Sequence, residues 1–144
     1  MEKVESKDEL KHVLQLFDAV FYPPLSDDIK DLDAYADKLV NEAVTYFAYV
    51  ETKEAGFISF YVADKNQEAS FITLIAVLPN YQGQKVAQKL LDKCIHMSRK
   101  KGKKKVRLEV DVINERAVSF YKKNDFLLVE ETSNHTVYME RVLN

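Results

Sequence analysis

Three runs rich in β-branched and aromatic residues, Val44 to Val50, Gly56 to Val62 and Ala69 to Val77, follow one another across short polar turns. The turns, Glu51 to Glu54 and Asp64 to Glu68, leave no room for a crossover helix, so the three runs read as an antiparallel meander. Beyond Pro79 the period changes. Val86, Ala87, Leu90, Leu91, Cys94, Ile95 and Met97 recur at helical spacing, and Gly102 marks the end of that helix. A strand over Lys105 to Val112 follows it, so a sheet begun antiparallel continues through a helical connection.

Ahead of the meander the pattern is helical. After a short edge strand at Lys3 to Glu5, Ser6 and Glu9 have the spacing of a capping box, and Leu10, Val13, Leu14, Phe17 and Phe21 recur at helical intervals. This helix is expected to end near Tyr22, because Pro23 and Pro24 cannot continue it. Ile29, Leu32, Tyr35, Ala36, Leu39 and Val40 mark a second amphipathic helix. Late in the chain, Glu115 to Lys123 reads as a helix, and Phe126 to Glu131 and Thr136 to Val142 as strands turning at Ser133 and Asn134. The order β-α-α-β-β-β-α-β-α-β-β describes an α/β fold with a mixed sheet. No repeat or Gly-, Ser- or Pro-rich linker divides the 144 residues, which read as one domain.

Charge and cysteine content narrow the function. A net charge of -2 makes no demand for nucleic acid. The basic run Arg99 to Lys105 sits at a helix C-terminus, where a solvated set of cations matches the dipole, and no nucleic-acid partner is expected. Cys94 lies on an apolar helix face and reads as a core thiol; alone it forms no intramolecular disulfide. His12, His96 and His135 show no metal spacing, and no metal is expected. Without a run of about 18 apolar residues, the chain reads as soluble, cytoplasmic and free of membrane contact, as a monomer or homodimer.

Two stretches carry chemistry. "AVLPNYQGQKVAQKLL", Ala76 to Leu91, passes from strand through turn to helix, so the N–H groups of Gly83, Gln84, Lys85, Val86, Ala87 and Gln88 lie at a helix start that favours an anion. "LEVDVINERAVSFYKKNDF", Leu108 to Phe126, carries Glu109 in a strand, Asn114 where the next helix begins, and Ala117 and Tyr121 one turn apart on it. Together they resemble the GNAT superfamily of acetyl-CoA-dependent N-acetyltransferases over residues 70 to 140, and the rest of the chain is similar by element order. The first is similar to the family's acetyl-CoA loop, written Arg or Gln, x, x, Gly, x, Gly or Ala; the second resembles its segment ending in Asn-x-x-Ala-x-x-x-Tyr. Two such motifs in the right order are far more specific than either alone.

The resemblance implies the GNAT acyl-CoA N-acyltransferase fold, a mixed, mostly antiparallel sheet flanked by helices, with two parallel central strands, those ending at Val77 and Val112, splayed apart. It further implies that the pantetheine arm of acetyl-CoA pairs with the backbone of Ile75, Ala76 and Val77. The pyrophosphate then rests on Gly83 to Gln88 beside Gln82, and Asn114, Ala117 and Tyr121 complete the coenzyme site. A splayed pair leaves costly unpaired polar groups unless a ligand replaces the missing strand. By the same resemblance Glu109 is the candidate general base, acting directly or through a water, Tyr121 the general acid, and the Val77 N–H the donor to the thioester oxygen. From the residues alone, Glu109 is equally a solvated strand residue and Asn114 equally a plain N-cap.

Three positions depart from the family pattern. Lys85 and Ala87 stand for the loop glycines, and Asp125 for the glycine before Phe126. Ala87 is an accepted variant, and Asp125 is expected to take the left-handed cap conformation that Asp tolerates. Helical conformation from Gln84 onward asks for no glycine, so the left-handed turn is expected at Gly83 alone, with Lys85 adding a charge toward the phosphates. Phe21 and Tyr22 are the expected wall of the acceptor site. The implied function is transfer of acetyl from acetyl-CoA to the primary amine of a small acceptor, a small amine or amino sugar, in a ternary complex. A protein N-terminal or lysine acetyltransferase and a non-catalytic acyl-CoA-binding module are the alternatives.

Overall fold

A computed structural model describes residues 1–21, 23–132 and 134–144; Tyr22 and Ser133, named above for the acceptor wall and a turn, lie outside the described residues. The first helix, α1 (Lys7–Phe17), starts as its sequence requires. The Ser6 oxygen accepts the Glu9 N–H at 3.2 Å, and the Ser6 hydroxyl donates to the Glu9 carboxylate at 3.3 Å. It stops at Phe17, short of the expected end. Asp18–Val20 tighten into a 3-10 turn, and the Asp18 carboxylate accepts the Ser26 N–H and hydroxyl at 2.7 and 2.9 Å, folding the loop back on the helix end.

A one-turn helix, α2 (Leu25–Asp28), was not foreseen, and α3 (Leu32–Glu42) begins later than Ile29 because Asp31 caps it, accepting the Ala34 N–H at 3.0 Å. The remaining helices are α4 (Val86–Lys100) and α5 (Glu115–Lys123).

The described residues form a seven-stranded sheet: β1 (Glu2–Lys3), β2 (Val44–Val50), β3 (Lys53–Tyr61), β4 (Ala69–Val77), β5 (Lys105–Asp111), β6 (Leu127–Glu131) and β7 (Thr136–Val142), ordered β1-β2-β3-β4-β5-β7-β6. The meander β2-β3-β4 is antiparallel as expected, and β4 with β5 is the one parallel pair described. β3 begins before Gly56 because the turn from β2 is only Glu51 and Thr52, with Glu51 at φ 59°.

α1 and α3 cover one face of β2 to β4, burying Phe17, Phe47, Phe57, Leu74 and Ala76. α4 and α5 cover the other, burying Ile58, Phe60, Leu90, Leu91, Leu108, Phe126 and Met139. Each such side chain contributes about 1.5–3 kcal/mol when taken fully out of water. Beyond β4 the first layer ends. β5 and β7 bury Val106, Leu108, Val137 and Met139 against the α4–α5 side, while Arg107 and Glu109 point to an open face. There the Arg107 guanidinium donates to Glu140 at 2.5 Å and to Glu130 at 3.0 Å, and lies 4.1 Å from the centroid of the Tyr138 ring.

α4 and α5 end alike. Gly102 (φ 73°) and Asp125 (φ 68°) are left-handed, Lys103 N–H donates to Ser98 O at 3.0 Å, and Phe126 N–H donates to Tyr121 O at 3.0 Å. The cap expected of Asp125 is therefore present. In the basic run Arg99, Lys100, Lys101 and Lys104 are exposed at or just past the helix end, as expected, and Lys103 alone departs from that. Lys103 is buried, and its ammonium donates to the carbonyls of Asp64 and Gln67 at 2.5 and 2.8 Å, stapling the turn between β3 and β4.

Candidate active site

β4 and β5 pair from Ala69–Lys105 to Ile72–Leu108 and no further, although β4 continues to Val77 and β5 to Asp111. The register with β3 explains why. Ser59 pairs with Leu74 but Phe60 with Ile72, leaving Thr73 as an extra residue that bulges β4. The bulge also switches faces: Ile72 belongs to the α4–α5 core, whereas Leu74 and Ala76 belong to the α1–α3 core, and Ile75 and Val77 turn, half-buried, to the α4 side. The expected splay is thus present, with backbone from Thr73 to Val77 unpaired on the β5 side.

The chain then enters a turn. Pro79–Tyr81 form a 3-10 turn, Gly83 has φ 83°, and Lys85 has φ 64° and ψ 20° before α4 starts at Val86. Here the expectation fails: the helix does not run from Gln84, and the second left-handed residue is a lysine. Left-handed residues therefore stand on both sides of Gln84. No side chain caps α4, so the N–H groups of Val86, Ala87 and Gln88 have no intrahelical partner. The Gln88 side chain does not face this turn; its amide donates to Asn124 Oδ1 at 2.8 Å and Asp92 Oδ1 at 2.9 Å.

α5 lies across the gap. The Asn114 side-chain oxygen Oδ1 accepts the Ala117 N–H at 3.1 Å, so the N-cap role is realised. Tyr121 is 6 % exposed, with Phe120 and Phe126 ring centroids each 5.5 Å away. Burial, with a smaller effect of the nearby Cys94 thiol, raises its pKa above the ordinary value of 10. Glu109 is exposed and faces away from that cluster, on the open side of β5; its Oε2 accepts the Thr136 hydroxyl at 2.5 Å. Glu109 and Tyr121 therefore belong to opposite faces of β5.

The model of the Acetyltransferase (GNAT) family matches residues 10–126. The chain belongs to this GNAT family. Over 56 residues it is 34% identical to N-alpha-acetyltransferase 30 of Schizosaccharomyces pombe, a match covering 39% of this chain and 37% of that relative, so it spans little more than a third of the relative's length. Its fold is similar to ribosomal-protein-S18-alanine N-acetyltransferase from Escherichia coli, with TM-score 0.77, 18% identity, and 99% of this chain and 94% of that one covered. It is likewise similar to PaiA N-acetyltransferase from Thermoplasma acidophilum in complex with coenzyme A, with TM-score 0.75, 20% identity, and 99% and 98% covered.

Within this GNAT fold two residues matter that the sequence reading passed over. Gly56, opposite Val77 in the β3–β4 register, sits under the start of α4. A Cβ there would lie 2.9 Å from both Ala76 O and Val86 Cγ1, so only glycine lets the helix start approach the sheet this closely. Arg116, in the first turn of α5, donates to Gln82 Oε1 at 2.7 Å and ties the two motifs together. Neither carries a signal in the hydrophobic pattern. Phe21, expected in the acceptor wall, is half-buried with its ring centroid 6.2 Å from that of Phe57, so it packs on the α1–α3 core. A depression of about 520 Å³ beside α5, lined by Val112, Glu115, Val118, Ser119, Lys122 and Lys123, includes none of the expected site residues. Among the described residues no group of His, Cys, Asp and Glu is arranged to hold a metal, and no helix is long and apolar enough to cross a membrane.

Proposed function

We propose that this chain transfers the acetyl group of acetyl-CoA directly to a primary amine. One observation carries the reading: the β4–β5 ladder ends at Ile72 and Leu108, and the opening leads to a helix start that no side chain caps. An amide-bearing arm suits the free edge at Ile75, Ala76 and Val77, and a pyrophosphate suits the N–H groups from Gly83 to Gln88. Acetyl-CoA, when bound, supplies an acetyl group already activated as a thioester.

The chain's own residues have two protons to manage. An alkyl ammonium, with a pKa near 10.4, must lose a proton before it can attack. Glu109 is the candidate acceptor of that proton, directly or through a water; Thr136 engages Oε2, which leaves Oε1 for the task. Tyr121 is the candidate donor to the departing sulfur, and its raised pKa keeps the proton on Oη through the neutral range. The Val77 N–H, at the end of β4, is the candidate donor to the carbonyl oxygen. Cys94 takes no part as a nucleophile, because burial pushes its thiol up to about 12.

The proposed acceptor is a small amine or amino sugar. A second reading, the α-amine of a protein, draws on the partial match to the yeast N-alpha-acetyltransferase. Release of coenzyme A thiol, followed over a panel of small amines, amino sugars and peptides with free N-termini, tests both. Turnover of the small amines is expected, with kcat lowered about 10²- to 10⁴-fold by Tyr121→Phe and by Glu109→Gln. Turnover of the peptides alone would move the assignment to the second reading, and acetyl-CoA binding without turnover of any amine would leave only a binding module.

A further inference from the structure

We infer that Arg116 is a positioning residue, which sets the orientation of the Gln82 side-chain amide so that its NH₂ end faces the mouth of the β4–β5 gap. The inference rests on the coenzyme reading above and deepens it. A primary amide has two ends of nearly equal shape and opposite hydrogen-bonding character: the oxygen only accepts, and the nitrogen only donates. A phosphate oxygen accepts, so it needs the nitrogen end.

Gln82 has its two ends already sorted. The Arg116 guanidinium donates to Oε1 at 2.7 Å, and Nε2 lies 3.5 Å from the carbonyl oxygen of Val77, the last residue of β4. Turning the amide over would set its NH₂ against the guanidinium, donor against donor. None of the ion pairs found among the described residues includes Arg116, so no carboxylate there competes for the guanidinium. The helix that carries Arg116 is itself held by the Asn114 cap two residues earlier. The contact thus links a fixed helix start to the one side chain of the turn that reaches back to the strand end.

A double-substitution cycle tests this, with the affinity for coenzyme A measured by calorimetry on the unsubstituted chain, Arg116→Ala, Gln82→Ala and the pair. If Arg116 acts through Gln82, each single change weakens binding about tenfold to a hundredfold, the loss expected for one hydrogen bond to a charged group, and the pair is no weaker than Gln82→Ala alone. Arg116→Lys, which keeps a donor for Oε1, is expected to recover most of the affinity. An unchanged affinity in Arg116→Ala would overturn the inference. So would a pair whose loss is the product of the two singles, because Arg116 would then act independently of Gln82. If the unsubstituted chain shows no saturable binding, the coenzyme reading fails and takes this role with it, an outcome distinct from either of the others.

Discussion

α4 and α5 flank the same core and end in the same left-handed cap, yet they begin in opposite ways. At the start of α5 the Asn114 side chain accepts the Ala117 N–H, and at α1 and α3 the side chains of Ser6 and Asp31 do the same for Glu9 and Ala34. At α4 the residue in the cap position is Lys85, left-handed and without a capping hydrogen bond. Every helix start presents N–H groups that need a partner. At three of these helices a side chain takes one of those N–H groups, while at α4, placed at the mouth of the strand gap, no side chain does. Under the coenzyme reading proposed above that difference has a purpose, since a pyrophosphate is the kind of partner such a start can take.

Supplying α4 with an acidic side chain of its own should break the contrast with the largest effect. Lys85→Asp places a carboxylate beside the N–H groups and replaces a positive charge with a negative one where phosphates are proposed to rest. Coenzyme A affinity is expected to fall on the order of a hundredfold at low salt, and to fall less as salt rises, while the thermal midpoint holds. Calorimetry at two salt concentrations reads both. Retained affinity would mean that the phosphates bind elsewhere.

Opening the start of α5 is the converse change. Asn114→Ala removes the acceptor for the Ala117 N–H and is expected to cost about 1 kcal/mol, seen as a thermal midpoint a few degrees lower, whereas Asn114→Asp keeps an acceptor and most of the stability. Equal loss in both variants would show that the cap bond contributes little.

The periodic parts of the fold were legible residue by residue: β2, β4, α5 and β7 fall where alternation and helical spacing put them. What escaped was decided by contacts between elements. Thr73 bulges because β4 must match β3, and nothing in "SFITLIAV" reports that match. α1 stops early because Asp18 turns to Ser26, and α3 starts late because Asp31 caps it, both choices made by loop side chains that the apolar stripe does not describe. At the site, Asn114 and the left-handed Asp125 were readable because their residue types suit only a few backbone states. Gly56, which offers no side chain to read, and Arg116, whose partner is 34 residues away, were not.

Lys85 is where the sequence reading went furthest astray, and its two properties can be separated by one substitution with small effects. Its backbone is left-handed, a conformation that costs a residue with a Cβ roughly 1 kcal/mol. Glycine would remove that strain but lose more entropy on folding, so Lys85→Gly is expected to stabilise the chain by no more than about 0.5 kcal/mol. Its charge acts separately. The side chain is exposed, so any attraction to phosphates is screened by salt, and Lys85→Gly is expected to weaken coenzyme A binding a fewfold at low ionic strength and hardly at all near 1 M salt. A lower thermal midpoint would show that the surroundings relieve the strain at this φ, and an unchanged or tighter affinity at low salt would remove the ammonium from the phosphate site. Because stability reports the backbone and salt dependence reports the charge, either role can fail while the other stands.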